Sequence, residues 1–291
     1  MRIFITGATG TIGKAIVHAL AEHHEIVALA YQKELRGIPN VEWVHGTIAR
    51  PETYLGALRG CDALIHLAAE TSNRSTQLHA INVEATRQLV LSAQQCRVKK
   101  KIIFSSAAVT QRILTPYAES KREMEKVLHE MHIPCTILRP TIVYGPGSPY
   151  TRGMSRYLQL GIPFVPLSNG GKADLRPVHV EDVSTAIEKI ISSSPAREVE
   201  IFDLASTQSF TFREALEAIA RKRRIAKPFV SIPHAWMASL FHSLHALGFN
   251  PPLRLIQTAA QGESYCVHPQ RIIEKYRITL RDPRTEFEKC I

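Results

Sequence analysis

The chain has 291 residues, 45% of them hydrophobic and 21% charged, the balance of an ordinary folded protein and not of a disordered or collagen-like one. Its formal charge of +10 raises nucleic acid as a partner, but the basic residues fall in short unrelated clusters (99–101, 221–224 and 281–284). No helix-turn-helix, zinc-finger or RNA-binding pattern accompanies them, so nucleic acid is set aside.

No apolar run reaches the roughly 20 residues that cross a bilayer. Five scattered cysteines without Cys-x-x-Cys spacing speak against disulfides and metal ligation and suit a reducing, cytoplasmic setting. The first apolar run passes at once into a glycine loop, which leaves no room for a secretory leader.

In chain order, residues 2–6 form a β-branched apolar run that reads as a buried strand. Thr6-Gly7-Ala8-Thr9-Gly10-Thr11-Ile12-Gly13 follows directly and opens a helix over 12–23. Glycines at 7, 10 and 13 permit a tight turn, close approach to a pyrophosphate and close helix–strand packing. The amides of Thr9, Gly10, Thr11, Ile12 and Gly13 then face the anion, aided by the helix dipole. This strand–loop–helix context predicts dinucleotide binding.

A second strand, 25–30, ends at Ala30-Tyr31-Gln32-Lys33, without the acidic residue that holds the ribose hydroxyls in NAD sites. Tyr31 is expected against the adenosine, with Lys33 or Arg36 meeting a 2′-phosphate. The cofactor is therefore NADP or NAD, with NADP favoured. Further strands are expected at 41–45, 63–68, 100–105 and 135–139, and helices at 78–95 and 117–131. His66, on an apolar strand, reads as a hydrogen-bonded core histidine.

The fifth strand leads to Ser105-Ser106, at the end of a sheet where open α/β folds bind ligands. Thr115-Pro116 then caps and starts a helix that carries Tyr117 and Lys121, four apart and so on one face. A tyrosine of pKa near 10 is a poor base at neutral pH. A nearby ammonium lowers that pKa, so the phenol can exchange a proton with a substrate oxygen, while Ser106 holds the same oxygen.

After about Tyr144 the alternation loosens. Gly145-Pro146-Gly147-Ser148-Pro149 marks an excursion, and strand, helix and strand signals return at 177–180, 181–191 and 199–204. From Phe210 the chain reads as mainly helical. The stretch 234–249, with Trp236 and several leucines, reads as a helix packing its apolar face in a cap, with a membrane-surface helix as the weaker reading.

The chain resembles the extended short-chain dehydrogenase/reductase family, the group that contains NAD-dependent epimerases and dehydratases. The likeness runs over roughly 1–205. It is carried by Thr6-Gly7-x-x-Gly10-x-x-Gly13, His66-Leu67-Ala68-Ala69, Asn82-Val83, Ser105-Ser106-x-x-Val109, Tyr117-x-x-x-Lys121, Arg139-Pro140-x-x-x-Tyr144-Gly145-Pro146-Gly147 and Val178-His179-Val180-x-Asp182-Val183. The resemblance implies that Leu67, Ala68 and Ala69 pass beside the cofactor, and that Pro140 to Val143 lie near the nicotinamide. It further implies that Lys121 contacts the nicotinamide ribose and that Ile48 stands at the adenine. Gly46-Thr47-Ile48 departs from the family's usual Gly-Asp, and Ser106-Ala107-Ala108 lacks the acidic pair of the sugar 4,6-dehydratases.

The expected architecture is α/β: a Rossmann-like doubly wound parallel sheet over 1–145, rejoined at 177–205, with a small, mainly helical substrate-binding cap from 146–176 and 206–291. The expected function is NAD(P)-dependent hydride transfer at a secondary alcohol or ketone of a small molecule, as epimerase, dehydrogenase or reductase. A nucleotide sugar and a homodimer stay open. The competing reading is a dinucleotide-binding scaffold or redox-sensor subunit without catalysis.

Overall fold

The computed structural model describes residues 1–233, 235–236 and 264–291; the expected helix over 234–249 lies outside them apart from Ala235 and Trp236. Seven strands form one parallel sheet: β1 (Arg2–Thr6), β2 (Glu25–Ala30), β3 (Val41–His45), β4 (Ala63–His66), β5 (Lys100–Phe104), β6 (Cys135–Pro140) and β10 (Val199–Leu204). Their spatial order is β10-β6-β5-β4-β1-β2-β3. The chain winds outward in both directions from β1 and β4, so these two neighbours flank the switch point, where a crevice opens at the strands' carboxyl ends.

The inner strands are largely apolar on both faces because both faces are covered. On one, α1 (Thr11–Ala21) packs against α6 (Val180–Ser192) over Ile3, Ile5, Ile65 and Ile102. On the other, α3 (Thr86–Gln95) and α4 (Pro116–Glu130) cover Phe4, Leu64, Ile103 and Ile137. A short α2 (Leu55–Leu58) adds the fully buried Leu58 to that second layer. The expected helix over 78–95 has two parts. After Leu78 and His79, residues Ala80–Ala85 form a wide π turn, and only then does α3 begin.

A third apolar cluster lies beyond the sheet. It joins Tyr144, Met154, Tyr157 and Leu158 to Leu167, Phe210, Leu216 and Phe287. Its elements include α5 (Pro149–Leu158), α7 (Phe212–Arg223) and two four-residue strands, β8 (Val165–Ser168) and β11 (Phe229–Ile232), which pair in parallel; two shorter strands, β7 (Val143–Tyr144) and β9 (Val178–His179), form a separate parallel pair. The sequence reading of a mainly helical segment after Phe210 had no place for β11, which is too short to impose a period of its own. No helix among the described residues is long and apolar enough to cross a membrane.

Candidate active site

The carboxyl ends of β1, β4, β5 and β6 open into one cleft of about 1390 Å³. The β1–α1 turn forms its floor. Gly7 has φ +72°, and a Cβ there would stand 2.6 Å from the Ala68 amide nitrogen, so only glycine lets the turn pass so close to the chain leaving β4. At Gly13 a Cβ would meet the Gly7 carbonyl oxygen at 2.2 Å, which fixes how tightly α1 seats on the loop. Gly10 occupies the helix N-cap and no side chain caps the helix. The first-turn amides therefore keep their capacity for an outside acceptor.

Thr9, Gly10, Thr11, Ile12 and Gly13 all line the cleft, as do Tyr31, Ile48, Leu67, Ala68, Ala69, Pro140 and Val143. Lys33 does not. It is exposed outside the walls, as is Arg36. The cation on the wall near Tyr31 and Ile48 is Arg50, which sequence reasoning passed over because it follows β3, not β2.

The chain leaving β4 is fastened from below. His66 is wholly buried, with Nδ1 2.7 Å from Thr6 Oγ1 and Nε2 2.9 Å from Thr86 Oγ1. Burial pulls its pKa down to about 3, and the Lys121 charge adds to that. It is a neutral structural histidine. Asn82, inside the π turn, accepts from the Glu70 amide at 2.9 Å and donates to the Glu70 carbonyl at 2.8 Å and to Ser120 Oγ at 2.9 Å. One buried amide thus ties the cleft wall to α4.

Ser106, Tyr117 and Lys121 come together on the cleft. Thr115 caps α4 through the Ala118 amide at 3.2 Å, and Asn73 Oδ1 accepts from the Tyr117 amide at 2.9 Å. Tyr117 has its phenol pKa raised by burial and by the nearby Tyr150, against a lowering hydrogen bond with Ser106. The expected lowering by an adjacent ammonium is not what this arrangement produces. Lys121 Nζ instead donates to the Phe104 carbonyl at 2.8 Å, and its charge is not among the influences on the phenol.

Lys121 is 2% exposed. Burial pulls its pKa down to about 8, against a raising influence from Glu125. Glu125 is in turn held by Arg139, whose Nε donates to Oε1 at 2.9 Å. Two buried polar atoms on the walls, Ser105 Oγ and Gln111 Nε2, have no hydrogen-bond partner. A buried donor or acceptor left so is costly, and these are sites where a bound molecule restores the balance. The glycine cradle, the uncapped helix start and these orphaned groups fit a dinucleotide.

The model of the NAD dependent epimerase/dehydratase family matches residues 3–205. A photosystem II assembly factor of Synechocystis is 30% identical over 145 residues, 48% of this chain and 44% of that protein. A ceramide reductase of Caulobacter vibrioides is 26% identical over 79% of this chain and 73% of its own length. Most of the curated relatives are matched over about half their length or less. Among solved structures, the UDP-glucuronic acid 4-epimerase of Bacillus cereus, in complex with UDP-glucuronic acid and NAD, superposes with a TM-score of 0.77 at 16% identity, over 100% of this chain and 97% of that one.

Proposed function

We propose that this chain, which belongs to the NAD dependent epimerase/dehydratase family, is an NAD(P)-dependent oxidoreductase acting at a secondary alcohol or ketone through Tyr117, Lys121 and Ser106. The observation that supports the reading is that all three residues line one cleft, the one that the glycine loop floors. The dinucleotide, when bound, supplies or accepts the hydride. The chain's own task is the proton and the placement of the substrate oxygen.

Ser106 and Tyr117 already share a hydrogen bond. A carbonyl oxygen that accepts from both hydroxyls is held in one position and polarised, and the Tyr117 hydroxyl is the group that hands it the proton. In the oxidative direction the phenolate takes the proton back. Lys121 is the cation of the set, and a shift of its Nζ from the Phe104 carbonyl towards Tyr117 would lower the phenol's pKa. Among the family's readings, the absence of an acid after β2 and the presence of Arg50 on the cleft wall support NADP. The segments 146–176 and 206–291 act as the substrate-binding cap in this reading.

The similarity to an assembly factor supports a second reading, a dinucleotide-binding scaffold. Tyr117→Phe separates the two. It removes the proton donor and leaves the glycine loop untouched, so dinucleotide affinity should stay within about twofold while turnover falls about 10²–10⁴-fold. Turnover is followed as NAD(P)H consumption against a panel of ketones. Equal turnover by the variant with intact binding overturns the mechanism, and dinucleotide binding without turnover on any ketone favours the scaffold.

A further inference from the structure

The turn after β5 is gripped from three sides. Ser106 Oγ accepts from the Ala108 amide at 3.2 Å, which starts a short 3₁₀ turn over Ala107–Thr110. Arg122, one residue beyond Lys121 on α4, reaches back to the far end of that turn. Its Nε donates to the Val109 carbonyl at 3.1 Å and its Nη2 to the Gln111 carbonyl at 3.2 Å. From the C-terminal region, the Cys266 amide donates to Thr110 Oγ1 at 3.2 Å, and Thr110 Oγ1 donates to the Ala107 carbonyl at 2.7 Å. The neighbouring Val267 is buried with Ala107 and Ala205. A turn so fastened holds the residue that follows it at a fixed place relative to Ser106.

That residue is Gln111. It lines the cleft together with Ser106 and Tyr117 and is only 4% exposed, yet its Nε2 donor has no hydrogen-bond partner. A buried donor left unsatisfied destabilises the fold, and an apolar side chain of similar length would fill the space without that penalty. The backbone is clamped while the side-chain donor is not, so the clamps place the donor and owe nothing to it. The motif that carries the family likeness along this loop ends at Val109, and Gln111 lies outside it. An amide N–H is an uncharged donor. Arg122, the cation on this turn, points its guanidinium at backbone carbonyls, so the partner that suits Gln111 is a neutral oxygen and not a buried anion.

We propose that Gln111 is a specificity-determining residue: it donates to a second, uncharged oxygen of the substrate while Ser106 and Tyr117 hold the reacting one. It selects hydroxyketones and keto esters over plain ketones of the same length. The inference rests on the proposed roles of Ser106 and Tyr117, and goes further in naming what else the substrate carries and the residue that reads it.

The test compares two probes of matched chain length, methyl acetoacetate and 2-hexanone, reduced by the full chain with a saturating amount of whichever of NADPH or NADH binds more tightly. The keto ester is intrinsically more reactive in every variant, so the readout is the change in the ratio of the two kcat/KM values. Gln111→Met should lower that ratio about tenfold, the worth of one neutral hydrogen bond. Gln111→Asn, which keeps the donor one carbon further back, should give an intermediate ratio. Dinucleotide affinity should stay within about twofold in both variants. The melting temperature of Gln111→Met should hold or rise, because an orphaned buried donor has been removed.

An unchanged ratio in Gln111→Met overturns the proposal, and with a lowered melting temperature it assigns the carboxamide to the fold instead. A fall in dinucleotide affinity also overturns it, since the donor would then serve the cofactor. Failure of the wild type to reduce either probe overturns the inference too; the proposed function falls with it only if the wider panel of ketones is inert while the dinucleotide binds.

Discussion

Lys121 carries opposed influences. Burial disfavours its ammonium and Glu125 favours it, and burial wins, leaving a pKa of about 8 against an ordinary 10.5. Below pH 8 both the folded and unfolded chains carry this proton, so the burial penalty is constant there. Between pH 8 and 10.5 the unfolded chain holds the proton and the folded chain has released it, so folding gains stability as pH rises. The slope attributable to one such group approaches about 1.4 kcal/mol per pH unit. Lys121→Met removes it. Urea midpoints for wild type and Lys121→Met at pH 8, 9 and 10 should therefore diverge, with the wild type gaining relative to the variant. Parallel curves would mean that the ammonium is not desolvated in the folded chain. The comparison has to be differential, because Cys61, raised to about 11 by burial, titrates nearby with the opposite sign.

At the scale of the element, the glycine loop was open to reading and the π turn was not. Gly7, Gly10 and Gly13 announce themselves by their spacing, and at Gly7 and Gly13 a Cβ would stand closer than 3 Å to backbone atoms. Gly7→Ala combines both penalties, φ +72° and a Cβ 2.6 Å from backbone, and neither atom is on a flexible side chain that can swing away. Dinucleotide affinity should fall at least about tenfold, by the cost of displacing the loop, and the melting temperature should fall with it. Fluorescence titration with NADPH and a thermal melt check the two effects. Asn82 is the contrary case. A periodic run such as 78–95 reads as one helix, and nothing in its spacing reveals that the first turn widens to aim Asn82 at both the Glu70 backbone and Ser120. Asn82→Ala leaves the Glu70 amide and carbonyl without this partner, at about 1–3 kcal/mol for each buried group so abandoned. A lowered melting temperature together with weaker dinucleotide binding is the expected signature. A loss of stability with unchanged binding would show that the tie does not shape the cleft.

Across the whole molecule, what the sequence made legible is what long-range burial dictates. Strands β1 and β2 are buried in all but their first residue, because a strand covered on both faces reads as a near-continuous apolar run, whereas the edge strands β3 and β10 carry Glu42, His45, Glu200 and Asp203. The region of the third apolar cluster was opaque for the converse reason. Strands β8 and β11 have four residues each, too few to impose a period of their own, and α5 turns Arg152 and Arg156 to the cleft and its apolar residues to the core. The same division hid Arg50, Arg152 and Arg156, whose meaning depends on which wall they stand on, while Ser106, Tyr117 and Lys121 were visible through their order along the chain.

That one cleft is walled by the β1–α1 turn, the loops after β4 and β5, and α5 of the cap region has a consequence for the protein as a unit. A dinucleotide seated there touches segments far apart in sequence, so its binding free energy is added to the stability of the fold they share. At a concentration of about 100 times Kd the gain is about 2.7 kcal/mol, or roughly 5–10 °C in melting temperature for a chain of this size class. NADPH should give the larger shift if Arg50 meets a 2′-phosphate, and Arg50→Ala should then bring the NADPH shift down to that of NADH while leaving the NADH shift unchanged. An equal shift from both dinucleotides in the wild type would remove Arg50 from cofactor selection, whereas a larger NADH shift would mean that the ribose hydroxyls are held without an acid after β2.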